Sequence, residues 1–140
     1  MWEVGWNVPL SEHDLWEYPL RDFGVDQFYM TPVSGIKKSV TERDNLGEVI
    51  NENPDLQVVW IDESGDTNLK DFIHPKDVLY VIGKTLSTPM TTYKQNNHLS
   101  VKISTKMNGG SDGLLWSHQA VILVLYDRLI KNLYGSIDNR

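Results

Sequence analysis

The residues that could do chemistry are spaced in ways that match no familiar catalytic motif. Gly83-Lys84-Thr85 resembles the end of a phosphate-binding P-loop, but the first glycine of that motif falls on Val78. Ser117 and His118 are adjacent, and neighbours on a helix point about 100° apart, so they do not form a nucleophile and base pair. Motifs alone therefore argue against a P-loop nucleotide enzyme and name no reaction.

The histidines and the acidic turn 62–66 do not indicate a metal site. The histidines lack metal-ligand spacing, and such residues are more often exposed or hydrogen-bonded than metal ligands. The acidic turn is suited to a cation, although a solvated turn is the simpler explanation. Gly109-Gly110 and Gly113 allow the backbone to approach a ligand closely, and a flexible connector explains them equally well. No metal is predicted, and a backbone-lined pocket is the remaining candidate site.

The bulk composition indicates one globular domain over residues 1–140. Hydrophobic residues make up 40% of the chain, and its net charge of −6 argues against a strongly basic nucleic-acid binder, although a local basic patch is compatible with it. The chain contains no cysteine, no apolar run long enough to cross a bilayer and no signal-peptide pattern. We therefore expect a cytoplasmic protein without a membrane segment.

Strands alternate with helices along the chain, which predicts an α/β fold with a mostly parallel sheet and helices on both faces. Continuous apolar runs such as VLYVI are typical of parallel strands that are covered on both sides. In such sheets ligands bind at the carboxyl ends of the strands, so the loops after Ile61, Ile82 and Ser104 are the expected site. The predicted strands are 3–8, 27–30, 56–61, 78–82 and 99–104; the predicted helices are 11–22, a helix capped by residues 41–44 and ending at 53, a helical turn at 69–73, and 114–134.

The longest predicted helix, 114–134, contains no proline or glycine and is apolar on most of its circumference. We expect one side of it on the sheet and another side against a second subunit, with a core helix of a monomer as the alternative. Replacing Leu125 with Glu is expected to disrupt the dimer if the stripe that contains it forms the interface. The two stripes are Leu114, Val121, Leu125, Leu129 and Leu133, and Trp116, Ala120, Leu123, Ile130 and Tyr134.

Several segments, in this order, resemble SPOUT-type RNA methyltransferases of the SpoU/TrmH branch. DFGVDQFYM resembles the region of their first helix and second strand, and DFIHPKDVLYVIG resembles their "HP…lYvlG" strand and turn. SVKIST, followed by a loop and LLWSHQAVILVLYDRLI, resembles their "vrIP" strand and a final helix that ends in a YDRL-like sequence. The resemblance spans residues 2–132 and rests on the joint order of the segments.

This resemblance implies a C-terminal trefoil knot, a homodimer through the last helix, and S-adenosylmethionine bound largely by backbone groups of three loops. On this chain those contacts fall on Ile61, Gly83, Ile103 and the pair Leu114-Leu115. An apolar slot with backbone N–H and C=O groups holds an adenine without any charged signature. RNA, with tRNA as the expected class, is the implied substrate, and a ribose 2′-oxygen is the implied methyl acceptor.

The sequence departs from the family's pattern at four positions. The family's Arg in the first helix falls near Tyr18, and its Glu after the strand-end glycine is Thr85. Its Asn at the start of the last helix aligns with Trp116, and its Pro in "vrIP" is Ser104.

Two hypotheses follow from the resemblance and these departures. In the first, the chain is a methyltransferase, and Arg21 and His118 are the candidates for a base or for substrate orientation. In the second, the chain is a catalytically inactive dimer that serves as a binding or assembly module.

Overall fold

A computed structural model gives the fold of the chain over most of its length. Of the predicted first helix only Asp22 lies among the described residues, and it is helical. Arg21, Leu114, Leu115 and the loop 105–113 lie outside them, as does the side chain of His118. The structure describes residues 2–4, 22–25, 29–30, 41–42, 45–62, 65–83, 93–104 and 117–135.

The described strands form one seven-stranded sheet in the order β3-β2-β1-β6-β4-β7-β5. Every strand pair in it is parallel. The predicted parallel α/β sheet is therefore confirmed. The strands are β1 (Trp2–Val4), β2 (Tyr29–Met30), β3 (Thr41–Glu42), β4 (Gln57–Ile61), β5 (Thr67–Asn68), β6 (Val78–Gly83) and β7 (Leu99–Lys102).

The helix start predicted at 41–44 is wrong. Thr41 and Glu42 form strand β3, and helix α1 covers Leu46–Glu52. Its cap is Asn45, whose side-chain oxygen accepts from the backbone N–H of Glu48 at 3.0 Å. Asparagine is among the best residues for this role because its short side chain satisfies a backbone donor that the first turn leaves free.

The sheet is covered on both faces, as predicted. Because side chains alternate along a strand, Val58 and Trp60 of β4 point to one face while Val59 and Ile61 point to the other. Helix α1 packs on the first face, and the long helix α2 (Ser117–Ile130) packs on the second. A 3₁₀ turn (Leu69–Asp71) lies where a helical turn was predicted, and its Leu69 belongs to the apolar cluster between the sheet and α2.

The side of α2 that faces the sheet differs from either predicted stripe. Val121 and Leu125 are buried against the sheet, whereas Leu129 and Leu133 of the same stripe are exposed. Residues four apart are offset by about 40° around a helix, so the stripe turns from the core into solvent over three steps. Leu125 is 5% exposed, and the expectation that it tests a dimer interface is wrong because it belongs to the core of its own chain.

The strand order reverses within the C-terminal half. Strand β7 lies between β4 and β5, although β4 and β5 follow one another in the sequence. After α2 the chain continues as a π-helical turn, Lys131–Gly135. No helix in the described part of the chain is long and apolar enough to span a membrane.

Candidate functional site

Strands β6, β4 and β7 are neighbours in the sheet, and their C-terminal ends lie side by side. These strand ends are the carboxyl edge of the sheet, and the N-terminal ends are its amino edge. Ile61 is paired with Val101, two residues before Ile103. Trp60 is paired with Val81, so Gly83 lies one residue beyond the level of Ile61 on the adjacent strand β6. The structure therefore brings Ile61, Gly83 and Ile103 to the same edge, which is where ligands bind in parallel sheets.

Backbone N–H groups of the loop after β4 bind it to β7 and close its turn. The N–H of Asp62 donates to the carbonyl of Val101 at 3.0 Å, and the N–H of Gly65 donates to the carbonyl of Asp62 at 2.9 Å. The N–H of Asp66 donates to Oγ of the buried Ser100 at 2.9 Å. The loop thus lies directly on the β7 backbone.

Gly65 makes this close approach possible. A Cβ atom on it would lie 2.6 Å from the carbonyl carbon of Val101 and 2.9 Å from the backbone nitrogen of Lys102. Both neighbours are main-chain atoms and cannot rotate away, so only glycine fits without a shift of the loop. In the sequence this glycine belongs to the acidic turn 62–66, and no pattern there marks it as part of the site.

Beneath this edge lies an apolar floor. Ile61, Ile82 and Val101 are all buried in the cluster that α2 covers. Ligands bind where parallel strands end, and an apolar floor beside main-chain groups is suited to a flat ligand with hydrogen-bonding edges, such as a purine. The candidate site is therefore defined by its position at the strand ends and by its apolar floor.

At the opposite, amino edge of β6, a buried histidine joins the strand to α2. The Nε2 of His74 lies 2.7 Å from Oδ2 of Asp127, and its Nδ1 lies 2.7 Å from the hydroxyl of Tyr80. A carboxylate only accepts, so Nε2 carries the proton and Nδ1 of the neutral ring accepts from Tyr80. Burial lowers the pKa of His74, while the hydrogen bond and the charge of Asp127 raise it; the net direction is downward.

Two cations of α2 and the turn after it complete this edge. Arg128 donates to the carbonyls of Pro75 and Lys76 at 2.6 and 2.8 Å and to the Tyr80 hydroxyl at 3.2 Å. Lys131 donates to two carbonyls of the segment before His74, those of Leu69 and Phe72, at 2.6 and 2.7 Å. It also forms an ion pair of 2.8 Å with Asp127.

Part of two segments that carry the resemblance meets at the edge away from the site. HP and Y of DFIHPKDVLYVIG, and DR of YDRL, contact one another through the bonds just described. These residues hold the last helix in place and do not line the strand ends. The sequence prediction that the histidines are hydrogen-bonded is confirmed for His74.

The other predicted site residues are divided by what the structure describes. Ile61, Gly83 and Ile103 lie together at the carboxyl edge. Arg21, Leu114 and Leu115 fall outside the described residues, and His118 lies in the first turn of α2 without a described side chain.

No protein-family model matches the chain, and no curated protein sequence matches it significantly. In structure it is similar to the SpoU methyltransferase AviRb from Streptomyces viridochromogenes in complex with the cofactor AdoMet. The TM-score is 0.73 at 18% identity, covering 96% of this chain and 58% of that one. A second AviRb structure gives a TM-score of 0.75 at 19% identity, covering 96% of this chain and 59% of that one.

A structure reported for the 2-OH methylation of C/U34 on tRNA is similar over nearly its whole length. It gives a TM-score of 0.69 at 12% identity and is covered to 95%, against 96% of this chain. At such identities the likeness establishes the fold alone. The chain has the α/β fold of the SpoU methyltransferases and spans less than two thirds of the length of AviRb.

Proposed function

We propose that this chain binds S-adenosylmethionine at the carboxyl edge of β4, β6 and β7 and methylates RNA. The observation that carries the proposal is the meeting of Ile61, Gly83 and Ile103 over an apolar floor, within the fold of a methyltransferase whose structure contains AdoMet. The cofactor fits this edge chemically, because a purine needs backbone donors and acceptors beside apolar surface. Leu114 and Leu115 would complete the slot.

In the proposed reaction the protein supplies position and a proton acceptor. S-adenosylmethionine supplies a methyl group, whose bond to sulfur breaks as a bond to the ribose 2′-oxygen forms and the hydroxyl proton leaves. Arg21 and His118 are the candidates to orient the substrate or to accept that proton. A tRNA is the proposed substrate class, in keeping with the similar structure reported for methylation of C/U34 on tRNA. We place the reaction in the cytoplasm.

Calorimetric titration with S-adenosylmethionine tests this proposal. We expect binding with a Kd in the micromolar range, about −8 kcal/mol. ATP is the matched control, because it shares the adenosine but carries a triphosphate in place of the methionine, and it should bind much more weakly. Absence of heat with S-adenosylmethionine would contradict the proposal. It would favour the inactive assembly module, which the departures at Tyr18, Thr85, Trp116 and Ser104 support.

The trefoil knot and the remaining contacts belong to the same proposal. Strand β7 lies between β4 and β5, which are consecutive in the sequence. The chain must therefore return after β5 and insert β7 next to the connection between these two strands, which supports a threaded backbone. A co-crystal with the cofactor tests both points. An unthreaded chain, or a cofactor away from Leu114 and Leu115, would overturn them.

We also propose a homodimer through the solvent side of α2. Leu123 and Tyr126 are 42% and 54% exposed and lie on the side of α2 away from its buried residues, and Leu133 in the turn that follows is 63% exposed. Such a row of large apolar side chains is typical of an interface. The Leu123→Glu variant should be monomeric by light scattering and keep its fold, because surface changes alter the free energy of unfolding by about 0.5 kcal/mol or less.

The matched control for the dimer is Asn51→Glu. It adds the same charge at an exposed position of α1, on the other face of the sheet, and should leave the dimer intact. A monomeric wild type, or a Leu123→Glu variant that remains dimeric, would contradict the proposed interface.

A further inference from the structure

A second histidine contact lies on the α1 face of the sheet. The indole N–H of Trp60, a fully buried residue of β4, donates to Nδ1 of His98 at 2.9 Å. The backbone N–H of Gln95 donates to the same atom at 3.2 Å. An indole N–H and a backbone N–H only donate, so Nδ1 of His98 must be unprotonated for either bond to exist.

His98 closes a short segment, residues 93–98, that leads into β7. The carbonyl of Asn97 accepts from the Gln57 side chain at 2.8 Å. The ring of Tyr93 packs on the cluster under α1 and lies 2.9 Å from where a Cβ of Gly47 would be. The segment is thus attached to the sheet at its start by Tyr93 and at its end by Asn97 and His98.

We propose that His98 is an acid-sensitive latch, and that protonation of its Nδ1 releases segment 93–98 from the sheet. A proton on Nδ1 turns an acceptor into a donor that faces two other donors. The Trp60 N–H then keeps no partner inside the protein, and a buried polar group without a partner is unfavourable. Opening the segment lets water reach that N–H and lets the imidazolium be solvated.

The electrostatic surroundings favour the neutral ring at pH 7. Burial lowers the pKa of His98 below its ordinary 6.5, and the charge of Lys94 lowers it further. Of the described residues, Lys94 is the charged group that acts on this ring, while its hydrogen-bond partners Trp60 and Gln95 are neutral. The closed segment therefore binds a proton less readily than the open one, and acid favours opening below pH 6.5. This latch does not depend on the proposed methyl transfer.

Nuclear magnetic resonance on the whole protein tests the latch directly. The indole signal of Trp60, identified by its loss in Trp60→Phe, should shift or broaden as the pH falls from 7.5 to 5. Amide exchange across 93–98, corrected for the intrinsic pH dependence, should accelerate by up to about tenfold for each pH unit between 6.5 and the folded pKa. No change in either signal down to pH 5 would overturn the proposal.

His98→Asn is the matched variant. The oxygen of the Asn side chain can accept at nearly the position of Nδ1 but does not titrate in this range. It should keep the segment closed at pH 5, and a wild-type acid response in this variant would overturn the proposal. If the variant fails to fold, Trp60→Phe still decides: removing the donor should raise the pKa of His98 towards 6.5, and an unchanged pKa would contradict the latch.

Discussion

The two edges of the sheet at β6 are built in different ways. At the amino edge, the contacts between strand and helix run through side chains, from His74 to Tyr80 and Asp127 and from Arg128 and Lys131 to carbonyl groups. At the carboxyl edge, the described contacts around the loop after β4 are mainly between backbone atoms. The amino edge therefore depends on particular side chains, whereas the carboxyl edge depends on the course of the backbone.

The contacts that stabilise the fold at the amino edge are therefore distinct from the candidate site at the carboxyl edge. Side-chain bonds at the amino edge fix α2 against the 3₁₀ turn and the segment that follows it, and α2 in turn covers the apolar floor of the candidate site. At the carboxyl edge, the described contacts of the loop after β4 are made mainly by main-chain groups. A ligand bound there by backbone atoms needs few particular side chains, so residue types can change at that edge while its shape persists.

Removing the acceptor at the amino edge should have the largest effect. Asp127→Ala leaves a proton of His74, whose side chain is 1% exposed, without a partner and removes the ion pair of Lys131. We expect a loss of about 3 kcal/mol in the free energy of unfolding, measured by denaturant titration at pH 7.5. The cofactor affinity of the folded fraction should change little if the edges are independent.

Two further variants sharpen this test. Asp127→Asn keeps an oxygen that can accept from His74 and should lose less stability than Asp127→Ala. Asp77→Ala removes a carboxylate from an exposed position on the same side of the sheet and should cost about 0.5 kcal/mol or less. Equal losses in the free energy of unfolding for Asp77→Ala and Asp127→Ala would mean that the side-chain network does not stabilise the amino edge.

A side chain placed at Gly65, where the loop backbone lies against β7, should destabilise the carboxyl edge. Gly65→Ala places a methyl group against the backbone of Val101, and we expect a loss of about 2 kcal/mol in the free energy of unfolding. Because the loop borders the proposed cofactor site, the Kd for S-adenosylmethionine should rise as well. Denaturant titration and calorimetry measure the two effects separately.

Gly47→Ala is the control for Gly65→Ala. Its Cβ would lie 2.9 Å from Cε1 of Tyr93 and 3.0 Å from Oδ1 of Asn45, which are side-chain atoms, and alanine favours a helix over glycine by about 1 kcal/mol. The variant should be nearly neutral in stability and should bind the cofactor normally. If Gly65→Ala were equally neutral, the close approach of the loop backbone to β7 would not be needed for the stability of the carboxyl edge.

The sequence predicted the parts of the fold that depend on local pattern. The apolar run of β6 and its closing Gly83 lie where they were predicted, because a strand covered on both faces is apolar at every position. The short strands β3 and β5 were missed, since two residues carry no periodicity. The orientation of α2 was also missed, because its apolar residues nearly encircle it and only the packed structure shows which of them face the sheet.

The candidate site was predictable in position but only partly in composition. Ile61, Gly83 and Ile103 follow from the rule that ligands bind where parallel strands end. Gly65 was not recognisable, because its role depends on Val101, 36 positions away, and no local pattern reports such a contact. The bond between His74 and Asp127 joins residues 53 positions apart and was hidden for the same reason.

The smallest expected effect is the pH dependence of the amino edge. The pKa of His74 is lowered in the folded chain, so the unfolded chain, with its ordinary pKa of 6.5, binds the proton more readily. The stability that the neutral ring contributes is therefore present above pH 6.5 and is lost as the pH falls towards the folded pKa. The effect is limited because Asp127 raises the same pKa that burial lowers.

Denaturant titrations between pH 7.5 and 5.5 measure this effect in the His98→Asn background, which removes the second histidine whose pKa is lowered among the described residues. In that background, His74→Gln should flatten the remaining dependence, because a Gln amide can donate to Asp127 without titrating. If the slope persists after both changes, the proton is taken up at another group, and His74 does not account for the pH dependence of stability.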